Sequence, residues 1–209
     1  MSHLKHHHVG DDDIVDEQKS RRRPIIIIGG IFLLLLLVVS YVPLTNIGKY
    51  ENPSNIPSIN DVRSLLPKNI SNPGTLDIWD YVVEDSEIKH VSNRIIVDSC
   101  SGGDTCYAKA LYYFVRDNVQ YIPDPNKEYF ETPFETILTG GADCDGQAIL
   151  LASLLQSVGF LTEFVFVPGH VYVRFYSSEI PDIYRAKDNW VYLDTTCKTC
   201  EFGEIPKKV

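Results

Sequence analysis

One cysteine, Cys144, stands where a thiol can serve as a nucleophile. It lies in the segment GGADCDGQ (140–147), which runs directly into the apolar stretch AILLASLL (148–155) of a predicted buried helix. The first turn of a helix carries unpaired N–H groups and partial positive charge, and both favour an anion such as a thiolate. Because the thiolate is the nucleophilic form of cysteine, this position predicts a reactive sulfur.

Two residues downstream supply the other groups that a nucleophilic thiol needs. His170 opens the alternating stretch HVYVRFY (170–176), and Asp194 closes the stretch WVYLD (190–194), so each lies at the end of a predicted strand. A positioned base activates the thiol, and a third group orients that base. The chain order Cys, His, Asp therefore predicts attack on an amide or peptide carbonyl, with a thioester intermediate and the amide N–H of Cys144 as first oxyanion donor.

The elements that must position these residues form an α+β fold. A helix over residues 143–158 is apolar around most of its circumference, which is typical of a buried helix, and Gly159 is suited to end it. Strands are predicted at 161–167, 170–176 and 190–194, with a tight turn between the first two. The thiol helix is therefore expected to pack on an antiparallel sheet.

Upstream of the thiol helix the pattern is more mixed. Apolar residues at helical spacing predict a first core helix over 105–121, with Asp104 as its N-cap. Three prolines in residues 121–134 predict a loop that forms one wall of a cleft. Residues 76–98 are apolar enough to pack on the core as an N-terminal extension, but their pattern does not choose between helix and strand.

Three motifs together carry a resemblance to a known family. GGADCDGQ, PGHVYV (168–173) and WVYLDTT (190–196) resemble the transglutaminase-like, papain-related superfamily of thiol enzymes, over about residues 107 to 200. The resemblance implies a transglutaminase-like/papain-like core in which Cys144 is the nucleophile, His170 its base and Asp194 the group that orients the base. It implies no cofactor. Papain-type relatives place a Gln several residues before the Cys, and the sequence here is ILT (137–139), so the second oxyanion donor is not identified.

A membrane anchor is predicted near the N-terminus. Residues 24–44 contain no charge and provide about the 20 apolar residues that cross a bilayer core. A cleaved signal peptide is the alternative, but its apolar core is usually shorter and no small-residue cleavage site follows. The three arginines at 21–23 favour a cytoplasmic N-terminus. We therefore expect a single-pass cell-membrane protein with a cytoplasmic tail at 1–23 and an extracytoplasmic catalytic domain.

The remaining chain divides into a spacer and a domain. Residues 45–75 are rich in Pro, Asn and Ser, which predicts a stalk, and residues 76–209 form the expected transglutaminase-like domain with its N-terminal extension. Residues 45–209 carry 14 basic and 23 acidic residues and so account for the entire net charge of −9. Such an acidic surface argues against nucleic acid as a partner.

Five cysteines are an odd number for a domain in an oxidising compartment. If four pair, Cys144 stays free, as a nucleophile must. Local bridges Cys100–Cys106 and Cys197–Cys200 are the first choice, and crossed pairings are the second. The alternative is a structural zinc site formed by the same four cysteines, although the first spacing is wider than usual for zinc.

The sequence thus predicts a membrane-anchored, outward-facing thiol enzyme, a cysteine protease, amidase or acyltransferase, acting on protein or peptide substrates. Two alternatives from other classes stay open. One is a catalytically silent module that binds peptides in the same cleft. The other is a thiol–disulfide exchanger that uses Cys197 and Cys200, although no helix N-terminus is expected there to activate a thiol.

Overall fold

A computed structural model describes residues 27–40, 52–124 and 128–204. Residues 27–40 form helix α1, which belongs to one compact unit, while all other described elements belong to a second. Within the described residues, no helix combines the length and the apolarity needed to cross a membrane. The two ends of the predicted span (24–26 and 41–44) and the predicted tail at 1–23 lie outside the described residues.

The second unit is built from helices packed on a small sheet. The helices are α2 (Ile59–Val62), α3 (Ser86–Ser99), α4 (Asp104–Asn118), α5 (Pro133–Thr139) and α6 (Cys144–Ser157). The strands are β1 (Gln120–Tyr121), β2 (Gly141–Ala142), β3 (Leu161–Val167), β4 (His170–Tyr176) and β5 (Val191–Leu193). Single 3-10 turns lie at Arg63–Leu65, Ile78–Tyr81 and Asp182–Tyr184.

The main sheet has three antiparallel strands in the order β3-β4-β5. β3 and β4 pair along their full lengths, from Leu161 opposite Tyr176 to Val167 opposite His170. Gly169 turns the chain between them with φ 71°, a left-handed conformation that glycine adopts without steric cost. All three strands lie where the alternating pattern predicted them, and this register places His170 at the end of the central strand.

Helix α6 is the centre of the core. It contacts α3, α4 and α5 as well as strands β3 and β4, and its residues from Asp145 to Leu155 are all buried. Such a helix has no face left for solvent, which explains its apolar sequence on every side. Gly159, just beyond the helix, has φ 96° and ends it as predicted. The chain is thus a mixed helix-and-sheet protein with a buried thiol helix on an antiparallel sheet.

Three predicted boundaries differ from the structure. Gly103 rather than Asp104 is the N-cap of α4, which ends at Asn118 because the next residues enter β1. The predicted loop at 121–134 begins in β1, which pairs in parallel with β2, and ends in α5. The undecided segment 76–98 is a 3-10 turn followed by most of α3. The two-residue strands β1 and β2 form by tertiary pairing, which local periodicity does not encode.

The largest difference concerns the predicted stalk. From residue 52 onward this segment packs on the domain, because Val62 is fully buried and Ile59 is nearly so, both within the main core cluster. The amide of Ser54 also donates to the carbonyl of Ser99 at the end of α3 (2.8 Å). The described part of the stalk is therefore folded structure, and only residues 45–51 lie outside the described residues.

Candidate active site

Cys144 is the first residue of α6 and is partly exposed, whereas the helix behind it is buried. Asp143 caps the helix: its Oδ1 accepts hydrogen bonds from the amides of Asp145 (3.0 Å) and Gly146 (3.4 Å). These capping bonds involve the amides of the two residues after Cys144. The backbone amide of Cys144 does not take part in them. The sulfur therefore sits at the rim of the core, at the positive end of a fixed helix dipole.

The structure brings His170 and Asp194 together beside Cys144. His170 Nε2 lies 2.9 Å from Asp194 Oδ2, and the two side chains are 22% and 6% exposed. Cys144 lies near enough to the His170 ring to contribute to the raised pKa of His170. Because Asp194 occupies Nε2, the ring nitrogen that can face the sulfur is Nδ1. The structure thus pairs His170 with Asp194 and places both in the neighbourhood of Cys144.

The electrostatics of this arrangement favour a charged imidazole. Hydrogen bonds to Asp194 and to Cys144, together with the negative charge of both partners, raise the pKa of His170 to about 10, although burial acts in the opposite direction. Burial would raise the pKa of Asp194, but hydrogen bonds from His170 and Thr196 outweigh it, so that this pKa lies below its usual range. At neutral pH the pair is therefore an imidazolium and a carboxylate.

The carboxylate of Asp194 is held from both sides. Its Oδ1 accepts from the amide (3.0 Å) and the hydroxyl (2.7 Å) of Thr196, while Oδ2 contacts His170. The hydroxyl of Tyr112 donates to the carbonyls of Asp194 (3.3 Å) and Cys200 (3.0 Å). Asp194 could either cap the turn that follows it or orient His170. In the structure it does both, because Oδ1 caps the turn at Thr196 while Oδ2 contacts His170. The contribution of Tyr112 was not predicted, since no local pattern links it to residue 194.

A third group of residues near the thiol was missed by sequence reasoning. Glu131, Asp143 and Asp145 each offer a carboxylate oxygen, and these oxygens lie within 4.8 Å of one another. Burial raises the pKa of Asp145, and it raises that of Glu131 to about 7, with the charge of Asp143 acting in the same direction. Two of these carboxylates, Asp143 and Asp145, are adjacent to Cys144 in the sequence. Glu131 is distant in the sequence and comes close to them only in the folded protein.

Tyr121 lies on the same side of the molecule as the thiol. The parallel pairing of β1 with β2 sets Tyr121 opposite Ala142, two residues before Cys144. Partial burial raises the pKa of Tyr121, and the negative charges of Cys144, Asp143 and Asp145 add to this effect. The tyrosine is 47% exposed, so its side chain is accessible to solvent near the first turn of α6.

The remaining four cysteines form disulfides in the first-choice pairing, Cys100–Cys106 and Cys197–Cys200. The zinc alternative is wrong, because these sulfurs are bonded to one another and do not offer thiolates. Cys144 is the free cysteine. Between β5 and residue 204 the structure describes no helix, so the Cys197–Cys200 bridge lacks the helix N-terminus that lowers thiol pKa values in disulfide oxidoreductases.

Comparison with known proteins agrees with this geometry. The model of the transglutaminase-like superfamily matches residues 90–195, slightly more than half of the chain. The match begins in α3, earlier than the resemblance seen in the sequence motifs, and it includes Cys144, His170 and Asp194. No curated protein shows a significant match to the chain. The chain belongs to the transglutaminase-like superfamily.

Proposed function

We propose that this protein is a thiol enzyme that acts on an amide or peptide bond of protein substrates. In this proposal Cys144 is the nucleophile, His170 is the general acid and base, and Asp194 holds the His170 ring. The observation that carries it is the short contact between His170 Nε2 and Asp194 Oδ2 (2.9 Å), with the free thiol of Cys144 near the same ring. This order of groups is what an activated nucleophile requires.

The proposed reaction follows from these positions. The Cys144 thiolate attacks the substrate carbonyl carbon, a C–S bond forms, and the developing oxyanion accepts a hydrogen bond from the Cys144 amide. The imidazolium of His170 gives its proton to the leaving nitrogen as the C–N bond breaks, which leaves a thioester. Water or a second amine then attacks the thioester and gives its proton to His170. Departure of the thiolate as the C–S bond breaks restores the starting pair.

Alkylation of Cys144 tests the first requirement of this mechanism. The full-length chain is treated with iodoacetamide at about pH 6, where an ordinary free thiol is almost fully protonated, and the labelled peptide is quantified by mass spectrometry. We expect rapid labelling that falls by at least tenfold in His170→Ala. The matched control is His90→Ala, because His90 is exposed on α3, and it should label like the wild type.

Slow labelling that is the same in all three proteins would contradict the enzyme proposal and favour the silent binding module. If Cys144 is reactive, the fate of a glutamine-containing peptide distinguishes the reaction types. Ammonia release without an added amine indicates amide hydrolysis, incorporation of a primary amine indicates acyl transfer, and two peptide fragments indicate proteolysis. Each product should be absent with Cys144→Ala.

The location of the enzyme is part of the same proposal. A membrane anchor at residues 24–44 is supported by the uncharged apolar sequence, and an external domain is supported by the arginines at 21–23 and by the two disulfides. In cells that express the full chain, a membrane-impermeant maleimide should label Cys144 without lysis. Labelling that appears only after lysis, or a chain that is washed from the membranes with carbonate, would contradict this location.

A further inference from the structure

A cavity in the second unit has a buried lysine in its wall. Its volume is about 440 Å³, which lies within the range of about 300–1,000 Å³ that is usual for small-molecule sites. Neither Cys144, His170 nor Asp194 is among the described residues that line it. Its polar and aromatic lining residues are Asn52, Lys109, Tyr113, Tyr184, Glu201 and Phe202.

The ammonium group of Lys109 belongs to this cavity wall. Lys109 lies in α4 and is only 4% exposed. Its Nζ donates to Asn52 Oδ1 (2.7 Å) and to the hydroxyl oxygen of Tyr184 (2.7 Å), and it lies 4.4 Å from the centre of the Tyr184 ring. Because both partners also line the cavity, the charged end of the lysine side chain lies beside the cavity.

The hydrogen-bond partners of the Lys109 ammonium are neutral. Among the described residues, no Asp or Glu forms an ion pair with Lys109. Glu201 lines the same cavity, but its carboxylate accepts from the hydroxyl of Tyr113 (3.1 Å) and is not within ion-pair distance of the lysine. A buried charge without a counter-charge is costly. The cavity therefore suits a ligand that brings one negative charge to Lys109.

The donors around Lys109 match the two oxygens of a carboxylate. An ammonium has three N–H donors, and the described contacts use two of them. Asn52 accepts through Oδ1, and the described contacts use neither N–H of its amide. The Tyr184 hydroxyl accepts from Lys109 and can donate its own hydrogen. One full positive charge with neutral donors beside it can thus bind a carboxylate through charge-assisted hydrogen bonds.

We infer that this cavity binds a small monocarboxylic acid with an aromatic or other apolar body. The carboxylate contacts Lys109 and Asn52, and the apolar body lies against the rings of Tyr113, Tyr184 and Phe202. The binding uses no residue of the proposed catalytic site, so the inference goes beyond the proposed function.

Glu201 and the aromatic rings restrict which anions suit the cavity. The carboxylate of Glu201 would repel a second negative charge on the ligand, which disfavours phosphate and dicarboxylates. Phe202 is only 4% exposed, and its ring meets that of Tyr184 edge-on with the centroids 5.3 Å apart. Such rings offer apolar area that an inorganic anion cannot use. A monocarboxylate with an apolar body uses both the charge and the rings.

Ligand-observed fluorine NMR tests the inference. The full-length chain is titrated with 4-fluorophenylacetate at about pH 7, where the acid is ionised and lysine is protonated. We expect saturable binding with a Kd of about 5 mM or lower, as the average contribution per atom of a small ligand gives. The uncharged 4-fluorophenylacetamide should bind at least about tenfold more weakly, because it cannot form the charge-assisted contact. Inorganic phosphate should not displace the acid.

Matched variants assign the binding to this cavity. Lys109→Met removes the charge and keeps a side chain of similar length, so we expect the Kd to rise by at least about tenfold. Tyr184→Phe removes only the hydroxyl that holds the ammonium, and the Kd should rise by about 2–10-fold. The control is Lys89→Met, the same substitution at an exposed position of α3, and its Kd should equal that of the wild type. Circular dichroism verifies that each variant is folded.

Several results would overturn the inference. They are the absence of saturable binding by the wild type, equal affinity for the acid and the amide, and a Kd in Lys109→Met equal to that in Lys89→Met. Displacement of the acid by phosphate would refute the choice of a monocarboxylate. If Lys109→Met does not fold, Tyr184→Phe and the comparison of acid with amide still decide. Failure of the proposed enzyme activity would leave these results unaffected, because no measurement depends on Cys144.

Discussion

At the scale of single residues, the site depends on the two carboxylate oxygens of Asp194, which bind different partners. Asp194 Oδ1 is bound by Thr196 and cannot turn away, so Oδ2 is directed at His170 Nε2. This fixes the ring orientation and leaves Nδ1 for the sulfur. The arrangement also makes the charge of His170 a contributor to stability, since hydrogen bonds between charged groups contribute about 1.5–3 kcal/mol.

The contribution of His170 should appear in the pH dependence of unfolding. Its pKa is raised from 6.5 to about 10 in the folded protein, so the stabilisation is fully present below about pH 6.5 and is lost as the pH rises through about 10. We compare the wild type with Asp194→Asn, because other groups titrate near pH 10 in both proteins. The difference in unfolding free energy, measured with urea, should be about 1.5–3 kcal/mol at pH 6 and should shrink towards pH 10.5. A difference that does not change with pH would refute the assigned ion pair.

At the scale of elements, the segment before α3 is part of the domain although its composition predicts a stalk. Val62 in α2 is fully buried, whereas Val97 in α3 is 75% exposed, so the same residue type occupies opposite environments. A Pro- and Asn-rich sequence conceals this, because one or two buried side chains are enough to attach an irregular segment to a core. The packing of α2 thus extends the stable unit towards the N-terminus.

Matched valine substitutions test this packing. Val62→Ala removes two buried methyl groups and leaves a small cavity, so we expect a loss of about 1.5–3 kcal/mol in unfolding free energy. Val97→Ala makes the same chemical change at the surface and should alter stability by less than about 0.5 kcal/mol. Urea unfolding followed by circular dichroism measures both. Equal, small effects would mean that residues 52–75 do form a spacer.

At the scale of elements, the close approach of Glu131 to α6 predicts that a glycine-to-alanine substitution in this helix lowers stability, although alanine usually stabilises a helix. Ala favours a helix over Gly by about 1 kcal/mol, but a Cβ at Gly146 would meet Glu131 Oε2 at 2.5 Å and the Ala142 Cβ at 2.7 Å. We therefore expect Gly146→Ala to destabilise the protein by about 1–3 kcal/mol, as overpacking does. Differential scanning calorimetry checks this. An increase in Tm would show that the Glu131 carboxylate moves away freely.

The elements around the site show how much of the fold could be predicted from the sequence. Strands β3 and β4 and helix α6 were predicted within a residue or two, because alternation and an all-apolar run are local patterns, and His170 and Cys144 followed from them. Glu131 and Tyr112 were not found, since each meets the site only after distant segments pack. Residues placed by periodicity are predictable from one sequence, and residues placed by tertiary contact are not.

At the scale of the whole molecule, two disulfides link separate segments of the second unit. Cys100–Cys106 joins the end of α3 to α4, and Cys197–Cys200 closes the turn that follows Asp194. The carbonyl of Cys200 also accepts hydrogen bonds from Tyr112 and, through Nη1, from Arg116 (2.9 Å). Both bridges close short loops, so by the loop-entropy model each should contribute about 2 kcal/mol to stability.

The two bridges should nevertheless differ in their effect on the thiol. Replacing both cysteines of either bridge by serine is expected to lower the unfolding free energy by about 2 kcal/mol. Only the loss of Cys197–Cys200 should also slow the alkylation of Cys144, because this bridge holds the segment in which Asp194 and Thr196 position His170. Urea unfolding and iodoacetamide labelling of the same two double variants separate stability from positioning. Equal labelling rates in both would mean that the turn after β5 keeps Asp194 in place without its disulfide.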